Sequence, residues 1–173
     1  MKVFTNVLVM ILAWLLMSCT VMPHNLQKEA LPDTPFAELI RNTNAYIGQI
    51  TIQGGYVVSV SNHAKQTQLI AIQAPLGFGQ EPKSKDLSQG RLILDYDGFI
   101  DPEVYSKDRK ITVAGVILGS STSEANNAEP FPYVRLEVKK LHLWAKEQPV
   151  DRGPPYWSYP YPPSWGWRYP YWY

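Results

Sequence analysis

The chain is poor in residues that carry chemistry, and each shortage removes a class of function. It has a single cysteine, Cys19, among 173 residues, so no disulfide can form within the chain. Its three histidines, His24, His63 and His142, show neither His-x-x-x-His nor Cys-His spacing, and no zinc site is indicated. There is no Gly-x-Ser-x-Gly elbow and no glycine-rich phosphate loop, which leaves nucleophilic and phosphoryl chemistry without a candidate residue. Asp95, Asp97, Asp101 and Glu103 crowd together, but an EF-type calcium loop counted from Asp95 needs glycine sixth and glutamate twelfth, and here Gly98 is fourth and Ser106 twelfth. Two glycosidase carboxylates must face each other across a cleft, which carboxylates adjacent in one turn rarely do. The expectation is a protein that is not an enzyme and uses neither metal nor cofactor.

Long apolar runs and net charge are also lacking. The apolar core from Val7 to Met17 spans about eleven residues, whereas a membrane-crossing helix needs about twenty at about 1.5 Å rise per residue. With Lys2 before it, this stretch reads as a secretory signal. Lys2 is the only charge in residues 1–18, so the remaining chain carries 15 Lys and Arg against 15 Asp and Glu. A balance of zero gives no electrostatic footprint for nucleic acid, and no nucleic-acid partner is expected.

The signal ends in Leu16-Met17-Ser18-Cys19. This resembles a bacterial lipobox, whose cysteine is diacylated on sulfur, becomes the first residue after cleavage, and is then acylated on its amine. Two or three acyl chains anchor stably where one binds only reversibly. Thr20 stands at the second position, where aspartate retains many Gram-negative lipoproteins at the inner membrane. The resemblance therefore implies a lipid-anchored protein of the outer membrane, on its inner leaflet and facing the periplasm.

The remaining chain divides into a polar tether at 19–34, one domain at 35–148 and a tail at 149–173. Thr20 to Asp33 shows no sustained apolar period. Thr34-Pro35 offers a helix start, and Phe36, Leu39 and Ile40 give Pro35 to Asn42 a short apolar face suited to covering an open end of a sheet. Five runs then read as strands: 46–60, 66–74, 90–97, 109–119 and 133–144. Paired Gly54-Gly55 suggest a bulge or sharp bend in the first. In the fourth, Ile111 and Val113 point one way, with Val116 and Leu118 continuing the row. In the fifth, Val134, Leu136 and Val138 alternate until a slip at Lys139-Lys140 hints at another bulge. Ser120 to Pro130 is small and polar and reads as a mobile loop. Fold class is thus mainly β: a small antiparallel barrel of five or six strands, OB-like, with a short N-terminal helix.

Several motifs recur in a set order: Gly54-Gly55, Ala74-Pro75-Leu76, Gln89-Gly90-Arg91, Gly98-Phe99-Ile100-Asp101-Pro102 through Tyr105, Arg109, Thr112-Val113-Ala114-Gly115, and Leu141-His142-Leu143-Trp144. Together with the lipobox they resemble the Slp family of Gram-negative outer-membrane lipoproteins, some associated with starvation or stress. The sequence departs from the family pattern at Leu92, where an aromatic is usual, and at Asp108, where glycine is common. The resemblance implies location and fold and carries over no catalytic residue. Physically, Gly98 suits a left-handed turn, Asp101-Pro102 begins another, and Arg91 and Arg109 are placed to clamp a carboxylate or loop carbonyls, holding the connector onto the barrel.

The tail, Gly153 to Tyr173, holds Trp157, Trp165, Trp167 and Trp172, six tyrosines and six prolines, with Arg168 its only charged side chain. Proline denies it helix or central strand, so an extended, disordered aromatic and Pro-rich segment is expected. Its rings suit a headgroup belt, stacking on sugars, a protein partner, or incidental packing on the barrel. Two roles follow: a structural or interaction protein held at the membrane by acylated Cys19, or a module whose barrel face binds an envelope glycan or small ligand.

Overall fold

The computed structural model describes residues 21–32, 34–123 and 131–146. The lipobox residues Leu16, Met17, Ser18 and Cys19, and Trp157, Trp165, Trp167 and Trp172, lie outside the described residues.

Five strands, β1 (Ile50–Asn62), β2 (Gln66–Ala74), β3 (Arg91–Asp97), β4 (Lys110–Ser123) and β5 (Phe131–Leu143), close a barrel in the order β1-β2-β3-β5-β4. This is the Greek-key barrel of OB type. Four of its pairings are antiparallel, but β3 and β5 run parallel, with Leu92 opposite Val134 and Leu94 opposite Leu136. The barrel is therefore not wholly antiparallel, because closing it puts two strands of the same direction side by side. Tyr46 to Gln49 precede the first strand: Thr43–Tyr46 forms a 3-10 turn, and Gly48, at φ +83°, redirects the chain into β1.

β1 belongs to both halves of the barrel. Residues 50–56 pair with β4 and 54–62 with β2, so Gly54 and Gly55 have a neighbouring strand on each side. The bulge expected at this pair lies three to four residues later: Val57 pairs with Ala71 and Ser59 with Ile70, leaving Val58 unpaired. The glycines answer a different need, close approach. A Cβ on Gly54 would sit 2.7 Å from the Ala74 carbonyl oxygen and 2.8 Å from Leu76 Cδ2, and one on Gly55 2.9 Å from the Ile72 carbonyl oxygen.

Alternation fills the interior with Val57, Leu69, Ala71, Leu92, Leu94, Ile111, Val113, Ile117, Val134 and Leu136, all buried. In β4 the inward row continues at Ile117 and not, as expected, at Val116 and Leu118. Leu118 is the bulged residue, passed over as Ile117 pairs with Leu136 and Gly119 with Arg135, and it is exposed. In β5 the slip falls at Lys139: Ala114 pairs with Lys140 and Gly115 with Val138.

Both barrel ends are closed by what flanks the strands. Helix α1 is His24–Glu29 and α2 is Phe36–Arg41. Pro35 sets the start of α2, while the Thr34 hydroxyl donates back to the Pro32 carbonyl and does not cap the helix. Phe36 and Leu39 enter the core, and the Ala37 N–H donates to Gln89 Oε1 at 2.9 Å. At the opposite end Ile100 is buried, and Asn62 pins it through Nδ2 to the Ile100 carbonyl at 3.0 Å. Thr67 Oγ1 donates to the Gly98 carbonyl at 2.7 Å.

The segment expected to be a structureless tether is in large part folded onto the barrel. Met22 is 1% exposed, α1 follows it, and the Leu31 N–H donates to the Ile50 carbonyl at 2.7 Å. No residue of α1 itself is buried. The contacts come from Met22 before it and Leu31 after it, which is why no helical apolar period marks the stretch.

Candidate functional site

The chain enters and leaves the barrel at one place, and a buried hydroxyl joins the two. The loop after β2 turns through Phe78–Gln80 with Gly79 at φ +70° and Gln80 at φ +66°. Left-handed backbone at a non-glycine residue costs about 1–3 kcal/mol and persists only where surroundings hold it. Three contacts do so. The Gln80 N–H donates to the Gly77 carbonyl at 3.2 Å, its carbonyl accepts from Thr112 Oγ1 at 2.7 Å, and its Oε1 accepts from the Met22 N–H at 3.0 Å. Thr112, fully buried, in turn accepts from Trp144 Nε1 at 2.9 Å. A relay of Trp144, Thr112, Gln80 and Met22 thus ties the residue three positions after Cys19 to the residue that follows β5.

Beside this relay lies a groove of about 530 Å³ lined in part by Tyr56, Lys83, Lys107, Arg109, Lys110 and Lys146. Asp108 is the carboxylate in its wall. Lys85 donates to Asp108 at 2.9 Å, and Lys110 to Glu81 at 2.9 Å. The hydrogen bond to Asp108 holds the Lys85 ammonium above the ordinary lysine range.

Arg109 fastens the groove's floor. Its Nη1 donates to the Val104 carbonyl at 2.9 Å and its Nη2 to the Trp144 carbonyl at 2.8 Å, so the connector after β3 is tied to the end of β5. Nearby, burial and then Tyr96 push the Tyr105 phenol above 10.0, with Arg109 opposing. A phenol whose folded-state pKa is raised gives stability that is fully present below its unfolded value and lost as pH rises through the folded one. Tyr105→Phe should therefore flatten the fall of Tm as pH rises past the ordinary phenol value of about 10, read by thermal unfolding against the parent chain. An unchanged slope would contradict it.

The sequence-selected residues that are described separate into four places. Gly54, Gly55, Arg109 and Trp144 surround the relay and the groove. Gly98, Phe99, Asp101, Pro102 and Tyr105 form the connector at the far end of β2: Gly98 turns at φ +112°, and Asp101 Oδ1 accepts from the Glu103 N–H at 2.9 Å. Gly90 and Arg91 open β3. Arg91 does not hold the connector, because β3 carries it at the opposite end of the barrel. There its Nη1 donates to Tyr133 Oη at 3.2 Å, with its guanidinium 6.0 Å from the ring centre. Gly115 lies in β4 within 2.7 Å of the Glu137 carbonyl oxygen, measured from an added Cβ.

On the outer face of β2 and β3, where an OB-like barrel would take a ligand, Ile70 and Ile93 sit opposite each other, and Asp95 Oδ2 accepts from Arg135 Nε at 2.5 Å. Arg91 and Asp95 are thus engaged by neighbours on β5. Among the described residues no three His, Cys, Asp or Glu side chains converge to hold a metal ion. Met22 and Gln80 were not selected from the sequence, and Thr112 was selected only as part of the Thr112-Val113-Ala114-Gly115 motif. The one available signal was Phe78, a large apolar residue in a polar loop.

Kinship accounts for the ordered motifs around this relay. The model of the outer membrane lipoprotein Slp family matches residues 16–172, taking in the lipobox, the barrel and the aromatic tail. The chain belongs to the Slp family. It is 28% identical to the outer membrane protein Slp of Escherichia coli K12, an alignment covering 99% of this chain and 93% of that protein. It is 32% identical to the uncharacterized lipoprotein YeaY of the same strain, over 88% of this chain and 79% of that one. A Haemophilus influenzae protein is 26% identical over 91% of this chain and 86% of its own length. As an Slp-family chain it is an outer-membrane protein with a mainly β fold.

Proposed function

We propose that this Slp-family protein is anchored by lipid on Cys19 to the inner leaflet of the outer membrane, faces the periplasm, and serves there as a non-catalytic structural or interaction protein of the envelope, with use under stress or starvation. The observation that carries the reading is the junction at Gln80. A barrel whose ends are plugged by α2 and by the connector, and whose N-terminal segment is bound by a dedicated relay, is built to be held in place. Arg91 and Asp95 on the outer face of β3 engage Tyr133 and Arg135 of β5, which favours this role over capture of a glycan or small ligand.

Orientation is tested with protease. In intact cells the barrel should survive added protease, and it should be cut once the outer membrane is permeabilised. Digestion in intact cells would place it on the outside and contradict the reading.

A further inference from the structure

We infer that the loop carrying Phe78, with the basic groove beside it, docks directly on the phospholipid surface, so that the protein lies against its membrane and does not stand off on a tether. The inference rests on the Cys19 anchor proposed above. Met22 is buried and its N–H is held by Gln80, so only Thr20 and Val21 separate Cys19 from a residue fixed to the barrel. Three residues reach at most about 11 Å when fully extended. The barrel surface around Gln80 is therefore confined to the headgroup region.

What that surface presents suits a bilayer. Phe78, two residues from Gln80, is 93% exposed, and the left-handed turn at Gly79 and Gln80 holds the loop that displays it. An exposed aromatic ring beside cations is the composition that binds an interface of apolar chains and anionic headgroups. Lys83 follows three residues after Gln80, and Lys107 and Lys146 line the same groove. Trp144, two residues before Lys146, is linked through Thr112 and Gln80 to Met22, which puts the end of β5 on this same side of the barrel. Phe99, 73% exposed, offers the contrast: it lies in the connector at the other end of β2, a strand of nine residues or about 26 Å.

The lone native cysteine makes the test clean, since acylated Cys19 leaves an introduced cysteine as the sole free thiol. Full-length lipidated Phe78→Cys and Phe99→Cys proteins, both altered at exposed positions, are labelled with an environment-sensitive dye. They are placed in vesicles of phosphatidylethanolamine and phosphatidylglycerol carrying nitroxide lipid. Docking predicts quenching at position 78 at least threefold stronger than at position 99, weakening when Lys83 and Lys107 are both changed to glutamate. One thiol per chain with equal quenching at the two positions overturns the docking while leaving the anchor intact. A dye at 78 that is shielded from water but unquenched by lipid also overturns it, pointing to a protein or second copy as the occupant. Two labelled thiols per chain would show Cys19 unacylated, and the anchor and the docking would fall together.

Discussion

Cys19→Ser is expected to deplete this protein from the outer-membrane fraction by at least about tenfold against the parent chain, read by membrane fractionation. The expected size follows from acyl chains at about 0.8 kcal/mol per buried methylene, so that two or three of them would far outweigh a single exposed side chain. One exposed phenylalanine such as Phe78 contributes at most about 1.5–3 kcal/mol when buried, enough to orient the barrel but not to retain it. The barrel itself should be unaffected, because Cys19 precedes Met22, the first buried residue among those described. An unaltered distribution of the serine variant would mean that some other segment anchors the chain, and the role given to the lipobox would be wrong.

Gly54→Ala is expected to destabilise the barrel by about 2–3 kcal/mol, the range in which extra atoms forced into a packed site are felt. The added methyl would meet Leu76 Cδ2, which can turn aside, and the Ala74 carbonyl oxygen at 2.7 Å, which belongs to the neighbouring backbone and cannot. β1 is also held on its other side at this residue, where Gly54 pairs with Thr112, the centre of the junction relay. The strand has no free side to move toward. Gly48→Ala is the comparison: nothing lies within 4 Å of the added Cβ, and only the strain of φ +83° remains, worth about 1–2 kcal/mol. Since 1 kcal/mol shifts Tm by roughly 4–8 °C in a domain of this size, thermal unfolding separates the two. Gly54 has no left-handed backbone of its own, so a loss there no larger than that at Gly48 would show that the neighbouring backbone gives way and that close approach does not demand glycine at 54.

Much of the barrel was legible because its strands alternate cleanly, and the Lys139 bulge was legible because it interrupts that alternation. The Val58 and Leu118 bulges were not: around Val58 the run Tyr56-Val57-Val58 is apolar throughout, and Val116-Ile117-Leu118 is apolar as well, so neither shows which residue steps out. The parallel pairing of β3 with β5 is a property of barrel closure, which no local pattern records. The expected tether proved to be folded because Met22 and Leu31 bind as isolated apolar residues on either side of a helix that buries nothing. The relay was hidden for a related reason. Gln80, Thr112 and Trp144 are distant in sequence, and their meeting depends on the loop geometry at Gly79 and Gln80. Arg91 and Arg109 look equivalent as motif residues, yet only Arg109 reaches the connector, since the two lie at opposite ends of the barrel strands.

A lipid anchor on Cys19 is read most directly in the chemical state of the N-terminus. Mass measurement of the N-terminal peptide of the protein purified from membranes should give a chain beginning at Cys19, with a diacylglyceryl group on sulfur and an acyl group on the amine. A mature chain beginning beyond Cys19, or beginning there with an unmodified thiol and amine, would contradict the lipid anchor and with it the placement of the barrel against the membrane.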